Sequence, residues 1–159
     1  MTTLDLQKAD ELVAAADMAV RVASQLRLWR IRKVIEDKEC WHQGLAFLQQ
    51  VLDGGKFIES KTSASGVSSL EPLTWTADLR FGSVVGDPVN VDYKQLLSFV
   101  EEIRDTLQAV QESTSVQPSE LETATNFFTD LGKQLGNKAD QALQTPSQRF
   151  FMSGDRYSY

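Results

Sequence analysis

Apolar residues recur at alternating three- and four-residue steps from the first quarter of the chain: Leu12, Ala15, Ala19, Val22, Leu26 and Trp29. That spacing places them on one side of an α-helix. The run Ala14-Ala15-Ala16 adds high helix propensity, because alanine loses no side-chain entropy, and keeps the helix thin enough for close approach by a neighbour. The register then changes. Arg30 and Lys33 fall where the stripe should continue, and Leu28, Ile31 and Ile35 open another face. From Val34 a second stripe runs through Trp41, Leu45, Leu48 and Leu52. The charged block Glu36-Asp37-Lys38-Glu39 lies between the two stripes, without a proline or glycine to force a break. The pattern therefore predicts one long helix over 10–52, about 65 Å if continuous, with a helix pair breaking near Asp37 as the alternative. Residues 1–9 read as a short lead-in, with Asp5 or Asp10 as a cap. Asp53-Gly54-Gly55 reads as the helix stop, since glycine adopts the left-handed conformation at little cost.

The period changes further on. Leu73, Trp75, Ala77, Leu79 and Phe81 alternate with Thr74, Thr76, Asp78 and Arg80, which predicts a strand over 72–81. Its pairing partner in sequence is 56–61, giving a small inserted β-hairpin with a loop over 62–69. A lone hairpin needs packing against other elements to be stable. Gly82 to Pro88 reads as a connection.

Asp92 and Gln95 make a helix-start signature, followed by the stripe Leu96, Val100, Ile103, Leu107 and Val110. Ser119 and Glu122 make a second one, followed by Leu121, Ala124, Phe128, Leu131, Leu135, Ala139 and Leu143. Helices over 92–113 and 119–144, joined by a turn at 114–118, should form an antiparallel hairpin. Gly132 and Gly136 suit close helix packing. The expected fold class is thus mainly α: a helical bundle with a long N-terminal helix or helix pair, a small inserted β-hairpin and a C-terminal helical hairpin. Residues 1–146 form one helical domain in this reading, with the β insertion at about 56–82 and an aromatic tail at 147–159.

Composition narrows the function. The 159 residues carry 42% hydrophobic and 24% charged side chains, as ordinary globular domains do. No apolar run is long enough to span a membrane, and the N-terminus lacks the basic-then-apolar order of a signal peptide. The one cysteine, Cys40, cannot form an intramolecular disulfide, and no Asn-x-Ser/Thr sequon occurs; both favour a reducing, cytoplasmic setting. The net charge of −6 argues against nucleic-acid binding by the chain as a whole, since phosphate neutralisation needs clustered lysine and arginine.

Candidate chemistry is sparse. Glu39-Cys40-Trp41-His42 contains Glu-x-x-His, a pair that di-iron bundles use twice, but His42 is the chain's single histidine. Cys40 and His42 are two apart and point to different sides of a helix. No G-x-G-x-x-G, P-loop or nucleophile-elbow motif occurs. Arg27, Arg30, Arg32 and Lys33, with Trp29 for stacking, form the one basic cluster; Arg30 and Lys33 interrupt the apolar stripe. Phe150, Phe151, Met152, Tyr157 and Tyr159 in the tail are costly to leave in water. The expected function is that of a non-catalytic interaction module, an assembly factor, chaperone or small subunit of a larger complex. It would bind another protein or its own copy through Trp29, Arg30, Lys33, Phe150, Phe151, Tyr157 and Tyr159, without a cofactor or metal. The alternatives are a helical subunit of a nucleoprotein complex using Arg27–Lys33, and a metal-binding or enzymatic protein using Glu39 and His42.

Overall fold

The computed structural model describes residues 3–60, 70–82 and 92–143. Five helices account for nearly all of them: α1 (Thr3–Arg32), α2 (Lys38–Ser60), α3 (Glu71–Phe81), α4 (Tyr93–Gln111) and α5 (Pro118–Leu143). The loop expected over 62–69, most of the connection before Asp92 and the aromatic tail lie outside the described residues.

The four long helices form an up-and-down bundle, each antiparallel to its neighbours. Gln25 of α1 meets residues 36 and 37, while Val22 faces Gly44 of α2. Gly44 also faces Leu107 of α4, and Gly55 faces Leu97. Arg27 of α1 reaches Thr129 of α5, and Val20 lies against Gly132. The Phe99 and Phe127 rings join α4 to α5 edge to face at 5.8 Å. The core between them is continuous, and the stripes read from sequence supply most of it. Leu12, Ala19, Val22, Leu26 and Trp29 are buried on α1, Leu96 to Val110 on α4, and Leu121 to Ala139 on α5. Gly132 permits the close approach expected of it, since a Cβ there would stand 2.8 Å from Val20 Cγ2; at Gly136 the space is open.

Five sequence expectations are corrected. First, the N-terminal stretch is not one continuous helix but the helix pair of the alternative reading, broken at 33–37, and α1 already begins at Thr3. The break needs neither proline nor glycine because a tertiary contact supplies its hydrogen bonds. The Gln25 side-chain oxygen accepts from the backbone N–H groups of Glu36 and Asp37 at 2.8 and 3.1 Å. Second, Gly54-Gly55 does not stop α2, which continues to Ser60. These glycines serve contact: a Cβ on Gly54 would stand 3.3 Å from Leu70 Cδ2, and one on Gly55 2.9 Å from Leu97 Cγ.

Third, the inserted β-hairpin is absent. Residues 56–60 belong to α2, and 71–81 form α3. The apparent alternation contains a helical face, Leu73, Ala77 and Phe81 at four-residue steps. Tertiary packing selects that face: Leu73, Thr76 and Ala77 are buried, and Trp75 stacks on Phe47 of α2 at 6.5 Å. The threonine hydroxyls, which favour strands, here donate to carbonyls one turn back, Thr76 to Pro72 at 2.8 Å. Gln134 of α5 donates to the Trp75 carbonyl at 2.8 Å, and Lys138 pairs with Asp78 at 3.5 Å, so α3 is tied to both α2 and α5.

Fourth, α5 is capped two residues earlier than expected: Gln117 N–H donates to Glu120 Oε1 at 3.0 Å, and Ser119 lies inside the helix. The cap of α4 is as read, with Asp92 accepting from the Gln95 N–H at 3.0 Å. Fifth, Val34, assigned to the second stripe, is 47% exposed, because it falls in the break. Among the described residues no helix is long and apolar enough to cross a membrane.

Candidate functional site

The end of the bundle where α1 stops, α2 starts and α4 stops is built from its caps. The C-terminus of α1 closes on Lys33, whose N–H donates to the Trp29 carbonyl at 2.8 Å with φ at 58°. This is the single-bond left-handed cap, a position where glycine is usual. The C-terminus of α4 also closes on a left-handed residue, Ser113, at φ 58°. Ser113 N–H donates to Val110 and Thr114 N–H to Ala109, the two bonds of a Schellman motif. At the start of α2, Asp37 Oδ1 accepts from the Cys40 N–H at 3.0 Å, and Asp37 Oδ2 is 3.5 Å from Arg21. The helix start is thereby capped and anchored to α1.

These three ends enclose a cavity of about 380 Å³. Trp29, Trp41, Ile35 and Val110 supply its apolar wall, and Lys33, Lys38 and His42 its basic rim, with Gln111 and Ser113 beside them. Lys33 Nζ lies over the Trp29 ring, 4.3 Å from its centroid, where the ring's negative face holds a cation. A second hollow of about 350 Å³ shares Trp29, Lys33 and Ser113 and extends along Thr114 to Val116. Trp41 is 1% exposed, and its indole Nε1 has no hydrogen-bond partner among the described residues. No carboxylate lines either hollow among the described residues.

The residues nominated from sequence divide. Trp29 and Lys33 come together at this cavity. Arg30 is exposed on α1 and is not among the lining residues. Phe150, Phe151, Tyr157 and Tyr159 lie outside the described residues; α5 leads away from the cavity toward the other end of the bundle, about 39 Å at the usual helical rise. The basic cluster disperses: Arg27 Nη2 donates to Thr129 at 2.9 Å, and Arg32 lies 3.7 Å from Glu36. Glu39 and His42 are both exposed, and no group of three potential metal ligands forms among the described residues. Reasoning from sequence missed Lys38, Trp41, Val110 and Ser113 as neighbours of Trp29. Lys38 and Trp41 stand close by in sequence, but Val110 and Ser113 carry no local signal.

Cys40 packs beneath this corner, its thiol donating to the Asp37 carbonyl at 3.3 Å. Burial foremost, then the Asp37 carboxylate, pushes the thiol up to about 12 from its ordinary 9.0. Such a thiol is a poor nucleophile. Above pH 9 the unfolded chain loses this proton while the folded chain keeps it. Stability therefore falls from about pH 9 toward 12, by at most about 1.4 kcal/mol per pH unit, and the contribution is complete below pH 9. Urea unfolding of Cys40→Ala should show a shallower alkaline decline than the parent chain; parallel declines would refute the assignment.

The fold and site together define an up-and-down helical bundle with a basic-rimmed, aromatic-walled cavity at one end. No protein-family model matches the chain, and no curated protein or solved structure does.

Proposed function

We propose that this is a non-catalytic interaction protein, an assembly factor, chaperone or complex subunit, that receives a protein partner at the end of the bundle where α1, α2 and α4 meet. The observation that carries the reading is the gathering of Trp29 and Lys33 at one cavity with an apolar wall and a second lysine, Lys38, at its rim. Ile31 is 82% exposed and Val34 47% exposed, both within two residues of Lys33. Exposed aliphatic side chains on the same stretch of chain as a buried tryptophan and its lysine are residue types found in an interface anchor and its surround. The buried, protonated Cys40 suits a reducing compartment, where it stays a free thiol.

The test is affinity capture from the native host with the full chain beside an Ile31→Asp, Lys33→Glu double variant. Both positions are exposed, so the variant should fold, as circular dichroism would verify. A partner retained by the parent chain and lost by the variant supports the reading. An unchanged partner set, or no specific partner for either, removes it.

A further inference from the structure

We propose that the cavity between Trp29, Trp41, Lys33 and Lys38 is a binding site for a carboxylate carried on an aromatic or aliphatic body. This deepens the reading above and rests on it for the source of the ligand, an acidic segment of a partner protein, although a free organic acid has the same chemistry.

Three observations converge. The volume, about 380 Å³, falls within the range of small-ligand sites. The lining divides into an apolar wall and a rim bearing the ammonium groups of Lys33 and Lys38, with no acid among the described residues, although acids outnumber bases 22 to 16 in the chain. A random patch of this surface would carry carboxylates. Lys38 has no ion pair or hydrogen bond among the described residues. Lys33 is held against Trp29 by its cation–π contact. Among the described residues, therefore, no salt-bridge partner neutralises the two ammonium groups at the cavity.

The third observation is conformational. Among the described residues, Lys33 and Ser113 are the two non-glycine residues at positive φ, and both line this cavity and the adjoining hollow. A left-handed backbone is disfavoured for a residue with a Cβ, and glycine would avoid the cost at either cap. Residues that keep such strain concentrate where their side chains serve a site. Here the side chains placed by that strain are a cation and a hydroxyl, both suited to a carboxylate oxygen.

The probe is 1-naphthylacetate, followed by the indole N–H resonances of the nitrogen-15-labelled full chain. Trp29 and Trp41 line the cavity and Trp75 does not, so the third indole is an internal control. The expected result is saturable movement of the Trp29 and Trp41 resonances with Trp75 unmoved. Neutral 1-naphthylacetamide should bind about tenfold more weakly, as should the acid to Lys33→Asn or Lys38→Gln, a difference worth ~1.4 kcal/mol. Asparagine suits the left-handed position, so Lys33→Asn removes the charge while keeping the turn. Equal binding of acid and amide would overturn the proposal, as would no movement of either cavity indole or movement unaffected by both lysine variants.

A second arm separates the sources. An acetylated, amidated peptide of glutamates flanking one phenylalanine, added to the naphthylacetate complex, should displace the probe if a partner segment is the ligand. Probe binding with no displacement keeps the carboxylate site and assigns it to a free acid, so that the protein-partner reading fails at this cavity alone. Loss of a captured partner in the Ile31→Asp, Lys33→Glu variant with no probe binding keeps the partner reading and sinks this one.

Discussion

Phe128→Ala is expected to destabilise the protein by about 3–5 kcal/mol, a large share of the 5–15 kcal/mol typical of a domain. Phe128 is fully buried on α5 and meets the Phe127 ring edge to face at 5.1 Å. Phe127 in turn meets Phe99 of α4. Truncation removes the transfer free energy of a buried ring and leaves a cavity that three helices cannot close without shifting. It also removes an aromatic contact worth about 0.5–1.5 kcal/mol. For a chain of this length each kcal/mol lowers the melting temperature by about 2–4 °C, so a fall of about 6–20 °C is expected in a thermal scan by circular dichroism. Leu143→Ala provides the contrast. Leu143 ends the same sequence stripe but is 41% exposed, and its loss should cost less than about 0.5 kcal/mol. Similar effects at both positions would mean that α5 presents a different face to the core.

Gly55→Leu should destabilise by about 3 kcal/mol, at the upper end of the usual cost of overpacking. The two readings of this glycine differ in their dependence on Leu97. If Gly55 ended a helix in the left-handed conformation, a larger residue would strain the backbone whatever the size of residue 97. In the interior of α2, its Cβ would stand within 2.9 Å of Leu97 Cγ and nearer still to the end of that side chain. Leu97 is 7% exposed, so it has little room to move, and the helix propensity gained, about 1 kcal/mol, is smaller than the clash. Leu97→Ala alone should cost about 2–3 kcal/mol. The Gly55→Leu, Leu97→Ala double variant exchanges volume across the α2–α4 contact. It should therefore be more stable than the sum of the single effects predicts, by at least ~1 kcal/mol. Strict additivity in urea unfolding would refute the contact.

The candidate site shows where sequence reasoning stopped. Trp29 was legible as an aromatic ending an apolar stripe beside a basic cluster, and Lys33 as a cation interrupting that stripe; both line the cavity. Arg30, chosen on the same grounds, faces solvent. The difference is one of phase: a step of one residue turns a helical side chain by about 100°, and which side of α1 turns toward the other helices is not encoded near residue 30. Val110 and Ser113 reach the cavity from about 80 positions away in sequence, through the antiparallel pairing of α2 with α4. Glu39 and His42, by contrast, share a helix as their spacing required, but nothing across the bundle joins them.

What the sequence determined by itself was the amphipathic pattern. Stripes at three- and four-residue steps fixed the buried faces of α1, α4 and α5, and Asp92 fixed the start of α4. These are local matters, because a helix selects its own period and its own cap. Tertiary contact decided the rest. Gln25 breaks the chain at 33–37 by binding Glu36 and Asp37 across the turn. Leu97 and Leu73 keep Gly54-Gly55 inside a helix by filling the space beside them. Phe47, Gln134 and Lys138 make a helix of 71–81, whose short alternating run fits either period. In each case a side chain distant in sequence supplied the hydrogen bond or the packing surface that the local residues left open, and only the folded bundle brings it there.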